Sequence, residues 1–411
     1  MSTVYYARWL LLPDFSIVTN GALAVEGQRI AAVGARSKVR RTSGDRIVNL
    51  GNVLLMPGLI NMHTHLEEGI VRGIYKEEEE PFSSWIAKKS SRIRQSSLEA
   101  IMPTIRLGVR ESLTNGITTI VDSSRTGASL VVLKEEPIRS WVIHEWHDEQ
   151  QINGNVHAKV NAEKRIAADA ETVNIGAGPY SLFSLLPGEQ KSLIELSRRE
   201  RLLWATHLAE SSEELQAFSE QKGDLFFHIT RRRDWPFGET TRGSVSFGLA
   251  NNLIPNNALL FHCNYTSGQE LSLLAAKKAS VIVTPRYNHR LGHKNLSIDV
   301  AMNRGVHICI GSEGVAGMET MNLFDELFYL KQSHPHIPAP EMIKWVTLNP
   351  AKALGMHNRI GVLQNGALAD IVGVSFAHDP QEELLEELLE EEPDVRFVMV
   401  NGEEIIVNTG N

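Results

Sequence analysis

Two histidines, His63 and His65, stand two residues apart just after residues 53–60, an apolar run interrupted only by Pro57-Gly58. On a β-strand, side chains at i and i+2 share a face. Both imidazoles can therefore converge on one ion, as neutral nitrogens do at about 2.0–2.1 Å from a zinc-like metal. An isolated pair of this kind is more often a surface or capping pair. The assignment therefore turns on whether the chain delivers further ligands in matching positions.

The elements that would carry them can be read from hydrophobic spacing. Short apolar runs at 54–60, 117–121, 141–143, 173–177, 202–206, 258–262, 280–284 and 306–310 read as strands. Segments 98–113, 188–199, 212–221, 267–278 and 321–331 carry apolar residues at helical spacing. Eight strands alternating with helices predict an α/β fold, a (β/α)8 TIM-like barrel over residues 56–357. An open doubly wound sheet would want a glycine-rich phosphate turn after an early strand, and none stands there.

The chain ends have a different texture. Turn-punctuated strand patterns occur at 5–12, 21–25, 29–33 and 46–50, and again at 369–374, 395–400 and 404–407. Neither half has enough strands to stand alone, which predicts one small β-sandwich domain from residues 1–55 plus 358–411. Residues 382–392, EELLEELLEEE, read as an acidic amphipathic helix whose leucines pack on the protein itself or on a second copy. The charged run 76–80 reads as an exposed turn.

In a barrel, the C-terminal strand ends share one mouth. The first run ends in His63 and His65, the fifth in His207 with Glu210 three residues on, the sixth in His262, and the eighth in Glu313. Each alone reads more readily as a satisfied barrel histidine or a helix-start acid. Four separate strand ends all supplying histidine or carboxylate make coincidence a poor account.

That order of motifs is Pro57-Gly58-Leu59-Ile60-Asn61 with His63-x-His65, then His207-x-x-Glu210, His262, and Gly311-Ser312-Glu313-Gly314. It resembles the amidohydrolase superfamily, in the branch of cytosine, guanine and adenosine-type deaminases and s-triazine chlorohydrolases. Stretches 285–293, 349–355 and 361–371 support the likeness, which spans essentially the whole chain. The resemblance implies one divalent metal, zinc with iron or manganese as alternatives, held by His63, His65, His207 and Glu313. The two-metal members use a lysine near the end of strand four, and residues 174–184 contain none. It further implies Glu210 as proton shuttle and His262 as hydrogen-bond partner of the attacking water, whose pKa the metal lowers toward about 7.

The implied reaction is hydrolytic displacement at a ring carbon, most simply deamination of an aminopurine-type nucleoside. The likeness leans toward aminofutalosine-deaminase-like members. Alternatives are another C–N or C–Cl bond, as in guanine, cytosine or s-triazine substrates. Another is an impaired metal-binding homologue, because Glu313 stands where the family has aspartate. The extra carbon–carbon bond moves the carboxyl by roughly 1.5 Å, and misplacement near 1 Å can cost on the order of 100-fold in rate. Trp85 is a candidate for stacking on the heterocycle, and Arg286 and His293 for its polar substituents. His144 and His147 follow the third strand and read more readily as structural than as facing the mouth.

Composition narrows the partners. Net charge is −8 with no basic stripe, which argues against nucleic acid. Cys263 and Cys309 are the only cysteines and sit in apolar runs, which rules out a disulfide framework and suits a reducing compartment. The N-terminal apolar run 9–12 is too short for a signal-peptide core, and no window reaches the 18 apolar residues of a membrane span. The reading is a cytoplasmic protein acting on a small heterocycle, as a monomer or homodimer.

Overall fold

The computed structural model describes residues 2–147, 156–232, 235, 237, 241–378 and 383–408. Eight parallel strands follow one another in sequence order: Leu59–Thr64, Ile117–Ser124, Arg139–Trp146, Val173–Pro179, Leu203–Leu208, Leu259–His262, Ser280–Val283 and His307–Ile310. The barrel interior is filled by alternate residues of these strands, among them Met62, Val121, Ile143, Ala205, Phe261 and Ile282. The expected run 54–60 splits at Gly58. Its first half, Leu54–Pro57, joins the other sheet, and only its second half enters the barrel.

The first and eighth strands close the barrel without a regular ladder. At the bottom, Ile60 N and Ile310 N donate to the carbonyls of Val346 and Trp345, at 2.9 and 3.1 Å. At the mouth the strands meet directly, with Glu313 N donating to His63 O at 3.0 Å. Asn61 bridges the same seam, its Nδ2 donating to Ser312 Oγ at 2.7 Å and its Oδ1 accepting from Ser312 N at 3.1 Å. Gly311 is required there, because a Cβ on it would lie 2.6 Å from the Cβ of His63 and 2.8 Å from its backbone nitrogen.

Both chain ends combine in one curled eight-stranded sheet. Thr3–Leu11 pairs with Ile17–Glu26, Arg46–Asn49 and Leu54–Pro57, and Ile371–Ser375 joins from the far end of the chain. Arg29–Ala35 pairs with Ile17–Glu26, and Asp394–Val400 and Glu403–Val407 complete it. Its core mixes the termini, with Tyr5, Leu23 and Ile30 packed with Ile371, Phe397 and Met399. The acidic segment is helical over Leu384–Glu387, shorter than its pattern implies, and Glu382 lies outside the described residues. Leu384, Leu385, Leu388 and Leu389 all pack into the main core.

One buried ion pair ties the sheet to the barrel. Arg139, at the start of the third barrel strand, donates Nε and Nη2 to the two oxygens of Asp370 at 2.7 and 3.2 Å. Asp370 also accepts from Asn401 N at 2.6 Å. Removing one member of a buried pair strands the other charge and costs about 3–5 kcal/mol. Arg139→Met is therefore expected to lower unfolding free energy by about that amount in chemical denaturation. A loss below about 1 kcal/mol would show that the pair does not couple the two sheets.

Candidate metal centre

The barrel mouth assembles the strand-end residues. One ligand atom each from His63, His65, His207 and Glu313 fits a cluster within 4.8 Å, and all four residues are buried. Glu313 places Oε2 2.8 Å from His63 Nε2 and Oε1 3.4 Å from His65 Nε2. His65 Nε2 and His207 Nε2 are 3.2 Å apart. The ring of His63 stacks on Phe261 at 3.7 Å between centroids.

Each imidazole is oriented by its neighbourhood. His207 Nδ1 is 2.7 Å from Tyr180 O. A carbonyl only accepts, so Nδ1 carries the proton and Nε2 turns its lone pair to the cluster. Asp122 Oδ1 accepts from Thr64 Oγ1 at 2.7 Å and Leu66 N at 2.8 Å, fixing the chain on either side of His65. Burial holds His63, His65 and His262 well below the ordinary imidazole range. Burial, with His63 adding to it, pushes His207 down to about 3. Neutral imidazoles are the form in which histidine binds metal.

The donor set fits a cation. His63 Nε2 and Glu313 Oε2, though close, miss hydrogen-bond geometry, and both are buried without a hydrogen-bond partner. His262 Nε2 and Glu145 Oε1 share that condition. Unsatisfied buried polar atoms cost about 1–3 kcal/mol each, and converging lone pairs repel one another. A divalent ion among them removes both penalties, and a mixed histidine and carboxylate set suits such an ion.

Glu210 and His262 stand beside the cluster. His262 Nε2 is 3.6 Å from Glu210 Oε1 and 3.7 Å from Glu313 Oε2, and its Nδ1 meets Thr284 Oγ1 at 3.1 Å. The turn carrying Glu210 is held by Glu214, whose carboxylate accepts from Ala209 N and Glu210 N at 2.8 and 3.0 Å. Burial, and then the charge of Glu313, push the Glu210 carboxyl well above its ordinary range. Ala209, His262, Cys263 and Glu313 all adopt positive φ, between 50° and 71°. Backbone strain of this kind gathers where a site dictates the chain path. Glu210 also lines a cavity with Tyr180, His147, Phe82, Ile86 and Trp235.

Comparison with known proteins supplies the family. The model of the amidohydrolase family matches residues 54–405. The chain belongs to the amidohydrolase family. It is a hydrolase acting on carbon–nitrogen bonds, and its relatives include deaminases. A 5-methylthioadenosine/S-adenosylhomocysteine deaminase of Halothermothrix orenii is 24% identical over 372 residues, covering 87% of this chain and 81% of that one. An adenosine deaminase from Xanthomonas campestris, solved with bound zinc, superposes with TM-score 0.84 at 19% identity, covering 99% of this chain and 93% of the other. An aminofutalosine deaminase of Helicobacter pylori, in complex with methylthio-coformycin, gives 0.84 at 20%, covering 98% of this chain and all of that one.

In this amidohydrolase the three residues expected to touch substrate are not among those that line this cavity. Trp85 is fully buried beneath its own helix, Phe82–Gln95, and the cavity-facing residues of that helix include Phe82 and Ile86. Arg286 pairs with Asp325 at 3.0 Å and donates to Thr320. His293 packs its ring edge-on to Phe82, 4.5 Å between centroids.

Two features of the site escaped the sequence. Glu145 is buried with its carboxylate 3.6 Å from His207 Nδ1 and 4.0 Å from His65 Nδ1. Alternation along the third strand, with Trp141 and Ile143 in the barrel core, would have pointed Glu145 and His147 inward. His144 points the other way, to Glu163 at 3.0 Å. The second feature is a buried Lys89–Glu68 pair at 2.5 Å, for which spacing gave no signal.

Arg286 owes its place partly to Glu326, which accepts from Arg286 N at 3.0 Å. Burial raises the Glu326 carboxyl from 4.5 to about 8. The folded protein thus holds this proton more tightly than the unfolded chain. Its contribution is intact below about pH 4.5 and is lost as pH rises toward about 8. Relative to wild type, Glu326→Gln is expected to gain stability progressively across that window in denaturation midpoints. Parallel pH profiles would contradict it.

Proposed function

We propose that this chain is a mononuclear metal-dependent aminohydrolase that releases ammonia from an aminopurine-type nucleoside. The observation that carries the reading is the convergence of His63, His65, His207 and Glu313, with Glu210 between that cluster and the cavity. The likeness to adenosine-type and aminofutalosine deaminases supports the substrate class. Zinc is our choice of metal, supported by the zinc-bound neighbour. We read the protein as cytoplasmic, in keeping with two buried free thiols and no helix, among the described residues, long and apolar enough to cross a membrane.

His63, His65, His207 and Glu313 would hold the ion, which would supply the Lewis-acid chemistry that makes water nucleophilic at neutral pH. The chain's own groups do the rest. Glu210, kept protonated by burial and by Glu313, gives its proton to a ring nitrogen of the heterocycle as water adds to the neighbouring carbon. Glu313 and His262 hold the water by hydrogen bonds, and Glu313 takes the proton it gives up on adding to the carbon. That proton passes to the amine, the C–N bond breaks with its electron pair leaving on nitrogen, and the remaining hydroxyl proton restores Glu210 as the ring carbonyl forms and ammonia departs. Phe82, Ile86 and Tyr180 give the cavity apolar walls that shield the reacting atoms and suit a planar ring.

Two measurements test this reading. The purified protein should hold about one metal ion per chain and release ammonia from one or more adenine nucleosides in a panel. Metal without ammonia across the panel would remove the deaminase assignment. Glu210→Gln should retain metal and lose about 100- to 10,000-fold in kcat. Glu313→Asp should lose on the order of 100-fold, because it withdraws the carboxyl from both histidines. A gain on Glu313→Asp would instead identify the wild type as an impaired hydrolase.

A further inference from the structure

Lys89 is out of character for its position. The helix Phe82–Gln95 buries Trp85, Lys89 and Ile93, a stripe at i, i+4 and i+8, so a lysine occupies the middle of the buried face. Among the described residues it is the one buried lysine. Its ammonium lies 2.5 Å from Glu68 Oε1. Taking both ions out of water costs several kcal/mol each, and an apolar pair would serve packing as well or better.

Glu68 stands beside the cluster in the chain and in space. It lies on the short turn Leu66–Val71 that begins directly after His65. Its second oxygen, Oε2, is buried with no partner. That oxygen lies 2.5 Å from the point a Cβ on Gly314 would occupy, and the Cβ of His65 lies 3.1 Å from the same point. Gly314 directly follows Glu313. The adjacent Glu67 has a different fate, since its oxygens accept from Ser124 Oγ, Arg125 N, Thr126 N and Thr126 Oγ1. Glu68 instead keeps one oxygen free beside Gly314, next to Glu313, and is restrained by one side chain carried in from another helix.

We propose that Lys89 is a positioning residue that sequesters Glu68, keeping this second carboxylate from becoming a fifth member of the ligand set of His63, His65, His207 and Glu313. The helix that walls the cavity thereby fixes the coordination number of the centre. The proposal rests on reading those four residues as the ligand set.

Cobalt(II) exchanged into the purified protein reads this without substrate, because its visible absorption weakens as coordination number rises. Lys89→Met should release Glu68 to the ion, lower the absorption intensity and change cobalt affinity by about tenfold or more. The paired replacement Glu68→Leu with Lys89→Met removes the rival carboxylate with its cation, and should restore the wild-type spectrum. Lys89→Arg should keep that spectrum, and Arg92→Met, on the exposed face of the same helix, should leave it unchanged. A Lys89→Met spectrum and affinity equal to wild type would overturn the proposal. A changed spectrum that persists in the paired replacement would also overturn it. If Lys89→Met fails to fold, the paired variant against Lys89→Arg decides, and a non-wild-type spectrum for either overturns the proposal. Wild-type protein that takes up no cobalt would overturn the ligand-set reading itself, whereas normal uptake with an unresponsive Lys89→Met spectrum defeats only the sequestration.

Discussion

The seam between the first and eighth barrel strands is the constraint on which the site depends. Three of the four clustered residues, His63, His65 and Glu313, come from its two sides. Glu313 N donates to His63 O, and the Asn61 side chain binds both the backbone and the hydroxyl of Ser312. Neither strand end could shift by an ångström without breaking these bonds. Since the strands share no regular ladder, these few contacts and Gly311 set the register that elsewhere a full row of hydrogen bonds would set.

Such a site works against stability, and the fold answers by rigidity around it. Imidazoles kept neutral by burial, carboxyls kept from water and non-glycine residues at positive φ each cost free energy. The surrounding barrel is close-packed, and the groups next to the cluster have their own anchors. Asp122 pins the chain either side of His65, Glu214 pins the turn of Glu210, and the Tyr180 carbonyl sets the tautomer of His207. Removal of any one of these would free a ring or carboxylate to relieve its own strain, at the expense of convergence.

Much of this was legible in sequence because it follows from periodicity. Strand–helix alternation located all eight barrel strands, though the first begins at Leu59 rather than 54, and the barrel rule sends strand ends to one mouth. Hence His207, His262 and Glu313 could be placed beside His63 and His65 with no coordinates. What was not legible depends on loops. Trp85 looked like a stacking aromatic, but which face of Phe82–Gln95 meets the barrel is set by tertiary packing. The pattern there is ambiguous because Lys89 sits on the buried stripe. Arg286 is a similar case, captured by Asp325 and Glu326 on the next helix. Glu145 was within reach of the period-two rule and was missed because the third strand runs on through Trp146, beyond its apolar run.

The glutamate at the eighth strand takes its meaning from the backbone that carries it. With Glu313 N bound to His63 O, the distance from backbone to carboxylate is set by side-chain length alone. The longer side chain lets one carboxylate address two imidazoles at once, Oε2 at His63 and Oε1 at His65. An aspartate on the same backbone would draw both oxygens back by roughly one carbon–carbon bond, about 1.5 Å. Gly311 and Gly314 flank the turn, and side chains there would meet His63 and Glu68. Glutamate is thus matched to this path, with the added length taken up between a pinned nitrogen and two fixed rings. A residue that departs by type from the expected aspartate is, in place, one whose reach lets a single carboxylate lie against both rings.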